Sequence, residues 1–170
     1  DYEMKKFFLI CFLFFLVGFA GCHKTGFTPA GAHPEGSKRV ASLDFTSPPE
    51  EWVPYRAKDN ILCFARKNPP MGIMVGTTCD RYQNVPLTPL SRSLFIGFED
   101  RKVVHRGEAK VSEWDAVEII VDCSLEGSAV RVKAYVFKAE QCIYDVVYFA
   151  SPEDYPEGID VFEEFVRSFH

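Results

Sequence analysis

The reactive side chains of this 170-residue sequence are its six cysteines, its four histidines and a few carboxylates set among apolar residues. Cys63, Cys79, Cys123 and Cys142 stand far apart, and no two have the Cys-x-x-Cys spacing that a thioredoxin-like redox motif or a zinc ribbon requires. Cys79 is followed by Asp80 where a strand gives way to a loop, a place where a thiolate can act as nucleophile with His105 as its base. Activation of a thiol needs a nearby cation, and the sequence sets none beside Cys79. The expectation is therefore that Cys79 is half of a disulfide or a buried thiol, and that His105 alternates with Val103 on a strand edge. His23 and His33 have no second ligand pair spaced near them and are read as solvated linker residues. Gly-x-Ser-x-Gly, a phosphate-binding glycine loop, His-Glu-x-x-His and a calcium loop are all absent from the sequence. No catalytic residue, metal site or cofactor is assigned and a non-enzymatic role is expected. The alternative is an enzyme using a cysteine or paired carboxylates at the strand ends near Cys79.

Asp145 is the carboxylate inside the otherwise apolar run Cys142-Ile143-Tyr144-Asp145-Val146-Val147-Tyr148-Phe149. A buried acid is costly unless it is paired. The first expectation is a polar tie that fixes strand register by meeting an Arg, a Lys or backbone donors, and the second is a ligand contact. Tyr144 and Tyr148 share a face, where aromatic ladders usually belong to the core.

Cys22 differs from the other cysteines because of what precedes it. Met4-Lys5-Lys6 is a basic start, Phe7 to Val17 is an unbroken apolar run, and small residues fill most of the stretch from Gly18 to Gly21. This is the layout of a cleaved export signal, too short for a helix that spans about 30 Å of hydrocarbon with roughly 20 residues. Phe19-Ala20-Gly21-Cys22 resembles the lipobox of bacterial lipoproteins, with Phe19 in place of the usual Leu. The resemblance implies cleavage before Cys22 and a lipid anchor on Cys22 that carries palmitate-type chains, so that the membrane is a partner through the lipid. His23 stands where an Asp resembles an inner-membrane retention signal, which points to the outer membrane, facing the periplasm. Residues 1–21 are thus read as signal peptide, with Asp1-Tyr2-Glu3 lying ahead of the native start. Residues 22–40, rich in Gly and Pro, form an anchor and flexible tether. Residues 41–170 are read as one domain.

The net charge of −5 and the lack of any basic tract longer than Lys38-Arg39 exclude nucleic acid as a partner. A protein or small-molecule partner is left open. Export to an oxidising compartment permits disulfides. The four domain cysteines allow three pairings, among which sequence spacing does not choose.

The elements that must position these residues follow from periodicity. Trp52 follows Pro48-Pro49, which forbids a central strand, and closes over a core edge. Ile61 to Arg66 and Met71 to Thr77 read as a hairpin joined by Lys67-Asn68-Pro69-Pro70. Thr88 as N-cap, Pro89 at the first position and Gly97 after the end mark a helix with Leu90 and Leu94 on its buried stripe. Val103 to His105 reads as a short strand with Gly107 at a bulge or turn. Trp114 to Cys123, Val130 to Val136 and Cys142 to Phe149 then form a meander, with Arg131 and Lys133 facing outward. The last helix runs from Pro156 to His170 with Ile159, Phe162, Val166 and Phe169 on its stripe. Within this frame Cys79 and Cys142 fall at strand ends, where disulfide geometry is easiest to meet, which favours their link. Cys63 and Cys123 lie inside strands, where buried free thiols fit, and their state is left open.

This order of elements, ending in Phe162-Glu163-Glu164-Phe165-Val166-Arg167-Ser168-Phe169, resembles the PsbP-like family. The resemblance runs from about Leu43 to Phe169. It implies an α+β fold with an antiparallel sheet of about six strands sandwiched by helices, and a role as binding accessory to a larger assembly.

Overall fold

Near-continuous apolar residues in the successive strands Ser128–Ala139 and Cys142–Ala150 dictate a sheet buried on both faces at its centre. The computed structural model describes residues 38–40, 43–58, 61–79 and 81–170. The signal segment, Cys22, nearly all of the tether and Asp80 lie outside the described residues. A hairpin of β1 (Lys38–Val40) and β2 (Leu43–Phe45) stands apart from the main sheet. That sheet is formed by β3 (Val53–Lys58), β4 (Ile61–Arg66), β5 (Met71–Cys79), β6 (Glu99–Val111), β7 (Trp114–Leu125), β8 (Ser128–Ala139) and β9 (Cys142–Ala150). Its spatial order is β3-β4-β5-β9-β8-β7-β6, antiparallel throughout. Helix α1 (Leu87–Ser93) lies over β7 and β8 on one face, and α2 (Tyr155–Arg167) lies over β9 and β5 on the other.

The sheet thus has seven strands where about six were expected. The addition is β3, whose Pro54 is tolerated because the strand is an edge. Strand β6 is 13 residues long rather than three, and its bulges fall between Glu99 and Lys102 and between Val103 and His105, not at Gly107. Helix α1 begins two residues earlier than expected, with Pro86 rather than Thr88 as its N-cap. Thr88 instead offers its carbonyl to the Ser91 hydroxyl at 2.9 Å.

Packing under α2 is aromatic. Phe162, Phe165 and Phe169 are buried against rings of the sheet and of β2: Phe162 stacks on Tyr148 at 5.5 Å, and Phe165 meets Phe45 at 5.2 Å. Phe137 stacks on Tyr144 at 5.2 Å in the same layer. Gly158 lets the helix approach this closely, because a Cβ there would come within 2.5 Å of the Met71 sulfur and 2.7 Å of the Tyr148 hydroxyl. Ser168 closes the helix by donating to the Phe165 carbonyl at 2.7 Å and accepts from the Thr46 amide at 3.0 Å. The final residue then pairs with β2, Asp44 and His170 exchanging amide-to-carbonyl bonds of 3.1 Å. Of the expected stripe, Ile159 is only partly buried and Phe165 takes its place. The opposite face is mostly aliphatic: Ile119, Val121, Val132, Val136, Ile143 and Val147 lie there with Leu94, Phe95 and Phe98, which follow α1.

Candidate functional site

Strands β5 and β9 end in register, with Cys79 opposite Cys142, and the two sulfurs are joined in a disulfide with a Cα–Cα distance of 4.0 Å. Cys79 therefore has no thiol to ionise. His105 lies on β6, with β9, β8 and β7 between it and β5, a separation of about 19 Å at roughly 4.8 Å per strand. The nucleophile and base of a cysteine enzyme are not brought together. His105 is half-exposed and stands 4.0 Å from the Glu118 carboxylate. Cys63 and Cys123 are reduced and buried. Burial, then the neighbouring Asp122 charge, pushes the Cys123 thiol up to about 11, so it is inert at neutral pH.

Asp145 departs from its expected role. It sits in the middle of central strand β9, opposite Gly76 of β5 and Val136 of β8, and its parity puts it on the α1 face with Ile143 and Val147. No Arg, Lys or backbone donor among the described residues meets its carboxyl, so it is not a register tie. The ammonium on the same face of β8, Lys138, is held by the carbonyls of Gln83 at 2.5 Å and Val85 at 2.7 Å in the loop ahead of α1. Burial pushes the Asp145 carboxyl up to about 7, although the residue is still partly open to solvent. Opposite it, the position of a Cβ on Gly76 meets nothing within 3.8 Å among the described residues, its nearest neighbours being Asp145 atoms at 3.9 and 4.0 Å. Tyr144 and Tyr148 point the other way into the aromatic layer, where the Tyr148 hydroxyl donates to the Tyr155 carbonyl at 3.0 Å.

Lys133 was expected to face outward, yet it is 9% exposed. Its ammonium lies 2.8 Å from Glu118 and 2.6 Å from Glu163 of α2, and the Tyr135 hydroxyl donates to Glu163 at 3.1 Å. Desolvation opposes the Lys133 charge, but the hydrogen bonds to Glu118 and Glu163 outweigh it and raise its pKa. Arg131, also expected outward, is half-exposed and forms a fork with Asp122 at 2.6 and 2.9 Å. That fork, opposed by desolvation, holds the Asp122 carboxyl below its ordinary value.

The free edge of the sheet is β6, and its residues from Glu99 to His105 are all exposed. Val103 and Val104 are 50% and 49% exposed there, within the acid-free run Arg101-Lys102-Val103-Val104-His105-Arg106. Among the described residues no three His, Cys, Asp or Glu side chains are grouped to hold a metal ion, and no helix is long and apolar enough to cross a membrane.

No family model and no curated protein matches the sequence. Solved structures do resemble it. The cyanobacterial PsbP protein CyanoP from Synechocystis sp. PCC 6803 aligns over 90% of this chain and 98% of its own, with 9% identity and a TM-score of 0.57. LpqN of Mycobacterium tuberculosis, described as involved in cell envelope biogenesis, aligns over 81% of this chain and 86% of its own with 12% identity and a TM-score of 0.57. The protein PA94 of Pseudomonas aeruginosa, of unknown function, aligns over 69% of this chain and 94% of its own with 13% identity and a TM-score of 0.54. The chain has the PsbP-like fold.

Proposed function

We propose that this protein is a lipid-anchored accessory of the bacterial cell envelope, held through Cys22 and facing the periplasm, which binds a partner protein along β6 and catalyses no reaction. The observation that carries the reading is the uncovered edge of β6. A 13-residue edge strand offers unpaired backbone donors and acceptors, and Val103 and Val104 add apolar surface in a basic run. Strand addition supplies affinity through backbone hydrogen bonds and specificity through alternate side chains. The basic run in a chain of net charge −5 suits an acidic extended segment of the partner. The envelope setting is supported by the lipobox-like sequence at Cys22 and by the fold shared with LpqN.

Two measurements test it. A photo-reactive side chain placed at Val104 in living cells should give a discrete protein adduct, absent when the same group replaces Glu126 at the β7–β8 turn. Adducts at neither position, or equally at both, reject the docking edge. Radiolabelled fatty acid should enter the native protein and not Cys22→Ala; equal labelling rejects the anchor.

A further inference from the structure

We propose that the patch of sheet above Gly76, open among the described residues and beside α1, binds a small apolar molecule carrying one protonated amine, with Asp145 as its counter-ion. This site is separate from the β6 edge. Its floor is backbone, because Gly76 places no side chain over β5, and its walls are apolar, with Met74, Ile143, Val147 and Val136 on the same sheet face. The Asp145 carboxyl at its centre has no partner among the described residues, and Thr78 of β5 flanks Gly76 on the same sheet face, opposite Ile143.

That combination selects the ligand by exclusion. An anion is repelled by the ionised carboxyl, and a neutral hydrocarbon leaves it unsatisfied. A divalent cation wants six or more oxygen ligands, and a single carboxylate does not supply them. An ammonium group on an apolar body meets both demands, since it ionises Asp145 and covers the aliphatic walls. Burial has raised the Asp145 carboxyl to about 7, so capture of an amine is coupled to loss of its proton. Among the described residues, the other ionisable side chains on this side of the sheet include Lys138 of β8, Arg92 of α1, Cys63 of β4, Tyr55 of β3 and Cys123 of β7, with Arg101 of β6 donating to the Phe95 carbonyl after α1.

The chain carries its own reporters. Met74 lies on the α1 face and Met71 is buried on the α2 face, so carbon-13 methyl signals of the two methionines separate binding at the site from effects on the whole domain. The intact chain in detergent would be titrated with 2-phenylethylamine and with 2-phenylethanol. The amine should shift the Met74 signal and leave Met71 in place. It should bind on the order of tenfold more tightly at about pH 7.5 than at about pH 5.5, and the alcohol should show no such dependence. Asp145→Asn should erase the preference for amine over alcohol. Gly76→Leu, which fills the patch and keeps the carboxyl, should abolish binding of both while the Met71 signal stays unchanged. A Met74 signal unmoved by the amine overturns the proposal. So do equal shifts of Met71 and Met74, or an amine preference that survives Asp145→Asn.

Discussion

On the α2 face of the sheet, rings meet rings and the buried ammonium of Lys133 is paired twice. Phe137, Tyr144, Tyr148 and Phe162 stack, and the boundary is closed by Lys133 between Glu118 and Glu163. On the α1 face a seven-residue helix lies over two strands, the walls are mostly aliphatic, and an acid in the central strand stands without a partner among the described residues. The difference teaches where stability resides and where it is given up. The first face spends its surface on holding the fold together. The second retains a desolvated carboxyl that costs stability.

The largest test of this division is removal of α2. Tyr155, Phe162, Phe165, Val166 and Phe169 are buried from it and its C-terminal end. At ~1.5 to 3 kcal/mol each they contribute on the order of 7 to 15 kcal/mol. The net stability of a domain is itself only ~5 to 15 kcal/mol. A chain ending at Ala150 should show no cooperative unfolding transition in circular dichroism. A cooperative melt near the full-length temperature would break the comparison at its root.

The second effect belongs to the other face and has the opposite sign. An ordinary Asp titrates near 3.9, whereas burial puts Asp145 at about 7 in the folded chain. Between those values the folded state holds a proton that the unfolded state has released, so the Asp145 contribution to stability falls as pH rises from about 4 to about 7 and is constant above. Asp145→Asn removes that loss. The variant should match the parent near pH 4 and exceed it by up to roughly 4 kcal/mol near pH 8, less whatever the solvent reaching the carboxyl screens. Urea midpoints at the two pH values measure this, and a variant destabilised equally at both would show that Asp145 has a partner after all.

How much of this was legible in the sequence depends on how far each residue's partners lie along the chain. Helix α2 was legible because spacings of three, four and three lay bare its stripe. Phe165 was missed because its partner is Phe45 on β2, a strand that periodicity does not reveal. Strand β6 was legible over only three residues, since an edge strand exposed on both faces has no apolar alternation and its bulges shift the phase. Asp145 was conspicuous as the odd acid in an apolar run. Its isolation was not, because that depends on Lys138 being drawn away to the carbonyls of Gln83 and Val85. Lys133 alternates with valines and so read as outward, while its partner Glu163 arrives 30 residues later.

The third effect sharpens the claim that the α2 boundary is an electrostatic seal. Lys133→Met keeps the stem and deletes the ammonium, leaving Glu118 and Glu163 facing each other at side-chain exposures of 21% and 25%. A fully buried pair broken on one side costs ~3 to 5 kcal/mol, and partial exposure brings the expectation to about 2 to 3. Restoring neutrality with Glu163→Gln should recover part of the loss. No recovery would mean that Lys133 acts through its packing alone.

The smallest expected effect concerns the residue that looked most like a catalytic base. His105 contacts the Glu118 carboxylate at 4.0 Å and is half-exposed, while the other oxygen of Glu118 is already held by Lys133 at 2.8 Å. An exposed pair at that distance contributes ~0 to 1 kcal/mol, and Lys133 leaves little for His105 to add. His105→Ala should therefore shift stability by no more than about 0.5 kcal/mol. It should also leave the Val104 cross-link of the docking edge in place, because strand addition uses the backbone of β6 and the valine surface rather than the imidazole. Loss of that adduct from a variant that still folds would move His105 into the binding surface. Loss of a measured enzymatic turnover on the same substitution would replace the accessory role with catalysis on the β6 side of the sheet, remote from Cys79.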